Sequence, residues 1–257
     1  MHLEAWQITF GALAALLVGF SKTGLPGSGI LVVPLMAAAF GGRLSVGATV
    51  PMLIFADCFA VAFYRQHAQW SHLKSLAPWV VAGLLAGAGF LKYLGDHHSK
   101  NDILNPIIGL IVLLMLAVNV ARGRWGDKIV PTSPLATGFT GSVAGFTTMV
   151  SNAAGPIMSI YMTATGMAKN QLMGTTAWYF FIFNLAKVPL LIWLNLDNRA
   201  APMFTNESLI FDLYAAPLVL IGAVSGRKVF EIIPQKSFVT GILILSGLAA
   251  IKLMIPT

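Results

Sequence analysis

Residues 6–40 read WQITFGALAALLVGF (6–20), SKTGLPGSG (21–29) and ILVVPLMAAAF (30–40), two short apolar pieces around a break rich in hydroxyls, glycine and proline. The same pattern returns as TGFTGSVAGF (137–146), TTMVSNAAGP (147–156) and IMSIYMTATGM (157–167). None of these pieces reaches the roughly 20 residues that a helix needs to cross a hydrocarbon core of about 30 Å. Irregular backbone at membrane depth survives only where protein or a water-filled cavity satisfies its N–H and C=O groups. Each unit therefore reads as a re-entrant or discontinuous helical hairpin, and breaks of this kind point to the binding site of a transporter.

Three longer apolar segments follow each unit, at about 46–64, 75–94 and 103–121 and again at about 172–194, 208–225 and 238–255. The 257 residues are 57% hydrophobic and only 10% charged, with a mean hydropathy of +0.79, which excludes a soluble globular domain. The fold class expected is all-α integral membrane, with polar connections too short for a separate aqueous domain. The opening Met-His-Leu-Glu lacks a basic n-region, so a retained N-terminus is expected. The formal charge of +7 is spread over loops between apolar spans, the pattern of membrane topology and lipid headgroups rather than of nucleic-acid binding. The single cysteine, Cys58, rules out an intrachain disulfide and a thiolate metal cluster.

An internal comparison pairs Gly19-Phe20 with Gly145-Phe146 and Gly29 with Gly155. One residue further out of register, Gly47-Ala48-Thr49 pairs with Gly174-Thr175-Thr176 and Asp57 with Asn184. The chain thus divides into a first transmembrane repeat, 1–130, and a second, 131–257. If each hairpin returns to its own side, the repeats are inverted, and Arg65, Lys74, Arg122, Arg124, Lys128, Lys169, Arg227, Lys228 and Lys236 share one face. Arg43, Lys92, Lys100, Arg199 and Lys252 then occupy the other, whereas parallel repeats would divide the basic residues evenly. The positive-inside rule selects the inverted arrangement, with six full spans, two hairpins, the first face cytoplasmic and both termini outside. Two complete crossings per opening unit would give the same parity.

Ionisable side chains inside a membrane mark functional sites by default, and Lys22, Asp57 and Lys187 are the candidates. Lys22 lies among Ser21, Thr23, Gly24, Gly27 and Gly29, where hydroxyls and free backbone N–H groups suit an anion at a helix start; the alternative is a lysine that snorkels to the interface. Asp57 and Lys187 fall in corresponding spans. They form either a structural ion pair or a functional couple in which the lysine faces the anion and the aspartate takes a coupling or gating role together with Asn184. In the second break Thr147, Thr148, Ser151, Asn152 and Gly155 add uncharged donors, although such hydroxyls also serve simply to pack helices. Gly27-Ser28-Gly29 lacks the third glycine of a dinucleotide site, and His67, His72, His97 and His98 lack the spacing of a zinc site. No cofactor or metal is expected.

The sequence resembles the TauE/SafE sulfite exporter family. The likeness runs through Gly19-Phe20-Ser21-Lys22-Thr23-Gly24, Pro26, Gly27, Gly29, Pro34, Asp57-Cys58-Phe59-Ala60 and Tyr64-Arg65-Gln66-His67, then Gly155-Pro156, Gly174-Thr175, Asn184, Lys187 and Pro189. It departs at Ala153-Ala154-Gly155, where members often carry more glycine. The resemblance implies a transporter of sulfite, a sulfonate or a related sulfur oxyanion, with both hairpins at the translocation site. The expected partners are that small anion and membrane lipid, in a bacterial inner membrane, with assembly into a homo-oligomer left open. An inside-negative potential expels an anion with about 2.3 kcal/mol per charge per 100 mV, which favours export by alternating access. The alternatives are proton-coupled uptake of an organosulfur anion and a membrane-embedded enzyme, which the lack of a nucleophile, base and metal set disfavours.

Overall fold

The structure, a computed structural model, describes residues 4–24, 28–97, 103–125, 133–229 and 235–255. Every regular element among them is helical: α1 (Ala5–Thr23), a 3-10 turn (Ser28–Leu31), α2 (Val32–Phe40), α3 (Gly42–Tyr64), a second 3-10 turn (Arg65–His67), α4 (Trp70–His97) and α5 (Leu104–Trp125). Then follow α6 (Pro134–Ser151), α7 (Gly155–Ala164), α8 (Lys169–Asp197), α9 (Asn206–Val229) and α10 (Gln235–Met254). The boundary expected between the two halves lies outside the described residues.

Six helices among the described residues are long and apolar enough to cross a membrane: α1, α3 with its following 3-10 turn, α4, α5, α8 and α9. Five of these coincide with spans expected from the sequence. The sixth is α1, because its helix runs past Phe20 and through Ser21-Lys22-Thr23, which residue type alone assigns to the break. The hydroxyls do not end the helix: Ser21 Oγ donates to the Val18 carbonyl of its own helix, and Thr23 Oγ1 shares its proton between the Gly19 carbonyl at 3.3 Å and the Ala223 carbonyl of α9 at 2.6 Å. Likewise α6 continues through Thr147 to Ser151, with Thr147 bonded to Val143 and Ser151 to Thr147. The second break shrinks to Asn152–Ala154, where Asn152 turns the chain in a left-handed conformation at φ 59°.

Each hairpin therefore has a long arm and a short arm. The 19 residues of α1 rise about 28 Å, whereas the nine of α2 rise about 14 Å. The short arm returns along the long one: Gln7 Nε2 donates to the Ala39 carbonyl at 2.8 Å, and the Thr137 and Tyr161 hydroxyls meet at 3.4 Å in the second hairpin. Gly41, at φ 79°, turns the chain directly into α3.

The close helix pairs depend on glycine. A methyl group on Gly19 of α1 would lie 1.9 Å from the Val219 carbonyl oxygen of α9, and one on Gly222 of α9 would lie 2.1 Å from that of Leu16. In α6 and α4, Gly145 meets the Val80 carbonyl oxygen at 2.2 Å and Gly83 that of Ser142 at 2.1 Å in the same sense. Such approaches replace hydrophobic driving force, which lipid does not supply, with dense packing. The contact order makes α1 parallel to α9 and α4 parallel to α6. In contrast, α3 and α8 are antiparallel: Gly47 near the start of α3 packs on Met203 beyond the end of α8, and Gly174 near the start of α8 packs on Tyr64 at the end of α3. Facing outward are Leu135, Phe139, Leu213, Tyr214 and Leu248, all exposed, as a lipid-facing surface requires.

Candidate functional site

Residues from both halves converge on one cavity. Helix α3 presents Thr49 and Leu53, four residues apart on one face, and α8 presents Thr176 and Phe180 with the same spacing. One turn further, Asp57 of α3 meets Asn184 of α8, whose Nδ2 donates to Asp57 Oδ2 at 2.6 Å. The two hairpins close the cavity from either side, with Ser21 and Lys22 at the end of α1, Gly29 and Ile30 in the 3-10 turn, and Thr148, Asn152, Gly155 and Pro156 around the second break. The starts of α2 and α7 border the same space, and a helix start favours negative charge.

Lys22 is the charged group on the cavity wall. Its ammonium lies 2.8 Å from Asp57 Oδ1 and 3.8 Å above the Phe180 ring. The side chain is 11% exposed whereas that of Asp57 is fully buried, so the carboxylate sits behind the lysine and out of the cavity. Asp57 thereby holds two cavity donors at once, the Lys22 ammonium and the Asn184 amide. An ammonium has three N–H bonds, and those not spent on Asp57 are available to a ligand.

Lys187 does not pair with Asp57. Fully buried, it donates to Asn152 Oδ1 at 2.6 Å and to the carbonyl and hydroxyl of Thr148, both at 3.3 Å. Asn152 in turn donates from Nδ2 to the Val46 carbonyl at 2.9 Å, so the chain from Lys187 through Asn152 ties the second break to α3. The lysine stands behind the wall and orders it. Antiparallel packing explains why spacing along the helix misleads: Lys187 lies one turn along α8 beyond Asn184, and in this orientation that turn leads toward the second hairpin while Asp57 is left to Lys22.

Of the residues expected at the site, Ser21, Lys22, Gly29, Asn152, Gly155 and Asn184 line the cavity. Thr23 points away and donates to the Ala223 carbonyl of α9 at 2.6 Å, Gly24 packs on Gly226, and Ser151 is turned back on its own helix. Gly27 lies outside the described residues. Thr49, Leu53, Thr176 and Phe180 do not stand out by residue type, yet the internal repeat contains the signal: Thr49 pairs with Thr176 and Leu53 with Phe180 in the register that pairs Asp57 with Asn184. Lys22 is matched in the same way by Thr148, and Gly29 by Gly155.

Lys22 is paired with Asp57, and Lys187 is bonded to three neutral oxygens, in a wall otherwise made of hydroxyls, amides and apolar side chains. A family model described as Sulfite exporter TauE/SafE matches residues 11–253. No curated protein and no solved structure matches the chain.

Proposed function

The chain belongs to the TauE/SafE sulfite exporter family, and from that premise we propose that it exports sulfite, a sulfonate or a related small sulfur oxyanion across a bacterial inner membrane. The observation that carries this reading is the shared cavity: both hairpin breaks and the matching faces of α3 and α8 meet around a lysine whose counter-ion is withdrawn behind it. The substrate lies between Lys22, Asn184 and the second-break donors Thr148 and Asn152, with Phe180 and Leu53 excluding water.

Residues 1–130 and 131–257 act as inverted repeats in this mechanism. Their support is the exchange of packing partners. α1 lies along α9 as α6 lies along α4, and the paired helices α3 and α8 run in opposite directions. Alternating access then consists of rocking one hairpin, with its partner helix, against the other around a fixed site. Arg65, Lys169 and Arg227 mark the cytoplasmic end and Arg43 and Arg199 the outer end. The inside-negative potential drives the anion outward without a second energy source.

The substrate class is tested by thermal unfolding of the purified protein with sulfite, thiosulfate, sulfoacetate, taurine and sulfate, since a ligand of the folded state raises the melting temperature. At least one sulfur oxyanion or sulfonate is expected to stabilise the wild type and to fail with Lys22→Ala. A panel without effect, or one unchanged by that substitution, contradicts the assignment.

A further inference from the structure

Asp57 and Asp212 are the buried acids among the described residues, and the anion site does not use Asp212. It lies in the second turn of α9, the residue is 7% exposed, and neither carboxylate oxygen has a hydrogen-bond partner among the described residues. Among the described residues, the helices packed on α9 bring no charge to it. From α1 the charged group is Lys22, bound to Asp57; from α3 they are Asp57 itself and Arg43, whose guanidinium donates to the Leu91 and Ala201 carbonyls. Phe211, beside it on α9, meets Phe40 of α2, a helix without charged residues. On α9, Glu207 is exposed in the first turn and Arg227 and Lys228 are at the far end.

Packing does not require the acid. The two helices that clasp the hairpins share a motif, Pro78 with Gly83 and Gly87 in α4 and Pro217 with Gly222 and Gly226 in α9. Five residues before each proline stand Leu73, 4% exposed, and Asp212. The equivalent position therefore accepts a buried leucine, and at Asp212 a carboxyl replaces it with no hydrogen-bond partner for either oxygen among the described residues.

We infer that Asp212 is a proton-binding site, independent of which anion the protein carries. Its carboxylate takes a proton from water to form the neutral acid and returns it to water when the site is hydrated. A hard metal cation would need some six oxygen ligands, and the described residues hold no group of three His, Cys, Asp or Glu side chains that could bind a metal. Asp212 is six residues beyond the start of α9, or about 9 Å along the helix, within short reach of one aqueous face. The close fit of Gly19 and Gly222 packs α9 along α1, whose last turn carries Lys22.

Infrared difference spectra of the reconstituted protein across a pH step test this. The wild type should show a protonated-carboxyl band, sensitive to deuterium, that is lost in Asp212→Asn and kept in Asp57→Asn. Asp212→Leu, which copies the leucine at the equivalent position in α4, should fold and also lack the band. Absence of the band in the wild type, its persistence without Asp212, or failure of both Asp212 variants to fold would overturn the inference.

Discussion

Lys22 of α1 and Asp57 of α3 form a buried ion pair, Nζ to Oδ1 at 2.8 Å, whose carboxylate also receives Asn184 from the other half of the chain. Removing one member leaves the other charged and unpaired in a largely apolar wall, at a cost of about 3–5 kcal/mol. Lys22→Met and Asp57→Asn should each destabilise the protein in denaturation assays. The double variant should recover most of that loss while anion binding, measured separately, stays abolished. Recovery of binding with stability would make the pair purely structural.

Lys187 and Asn152 act as one unit at the second break. Asn152→Gly keeps the left-handed turn, since glycine adopts it freely, but removes the bonds to Lys187 and Val46. A loss of roughly 1–3 kcal/mol in stability is expected, together with weaker anion binding. Lys187→Met on top of it should add less than it does alone, because the two share one interaction. Additive effects, read from the same denaturation curves, would mean that they work separately.

The α1–α9 contact has no room for a side chain, because a methyl on Gly19 would stand 1.9 Å from backbone and one on Gly145 2.2 Å in the matching contact of α6 with α4. Gly19→Ala and Gly145→Ala should both lower the melting temperature and transport. Gly89→Ala has nothing within 4 Å of the new methyl and lies within α4. It should be neutral or stabilising by up to about 1 kcal/mol, as alanine is the better helix former.

Topology follows from the ends of α3 and α8. In a Cys58→Ala background, a cysteine at Gln66, in the 3-10 turn after α3, should resist a membrane-impermeant reagent in intact cells. A cysteine at Ala200, in the connection between α8 and α9, should react. The reverse result would invert the orientation, and equal labelling of both would remove the inverted arrangement itself.

Much of this is legible in the sequence because it lies in composition and repetition. That each half opens on two helices joined by a break, and that Asp57 is matched by Asn184, is readable from residue patterns. Helix ends are not, since Ser21, Thr23 and Thr147 look like breakers until their hydroxyls are seen returning to the backbone. Partner choice is equally hidden. Whether Asp57 meets Lys22 or Lys187 depends on the direction of α8 and on the length of α1, and neither follows from spacing along one helix. Asp212 is inconspicuous because it lies in the second turn of a long span, where an acid passes for an interfacial residue; only its burial without a partner sets it apart.

Potential-driven efflux of radiolabelled sulfite from proteoliposomes tests anion export most directly. With the interior held negative and no pH gradient, the wild type should release sulfite faster than at zero potential, and slow when the potential is reversed. Lys22→Ala should fall to the level of empty liposomes, provided that the variant is shown to be folded. Sulfite efflux from the wild type that ignores the potential, or efflux undiminished by Lys22→Ala, would contradict export of the anion through the Lys22 cavity.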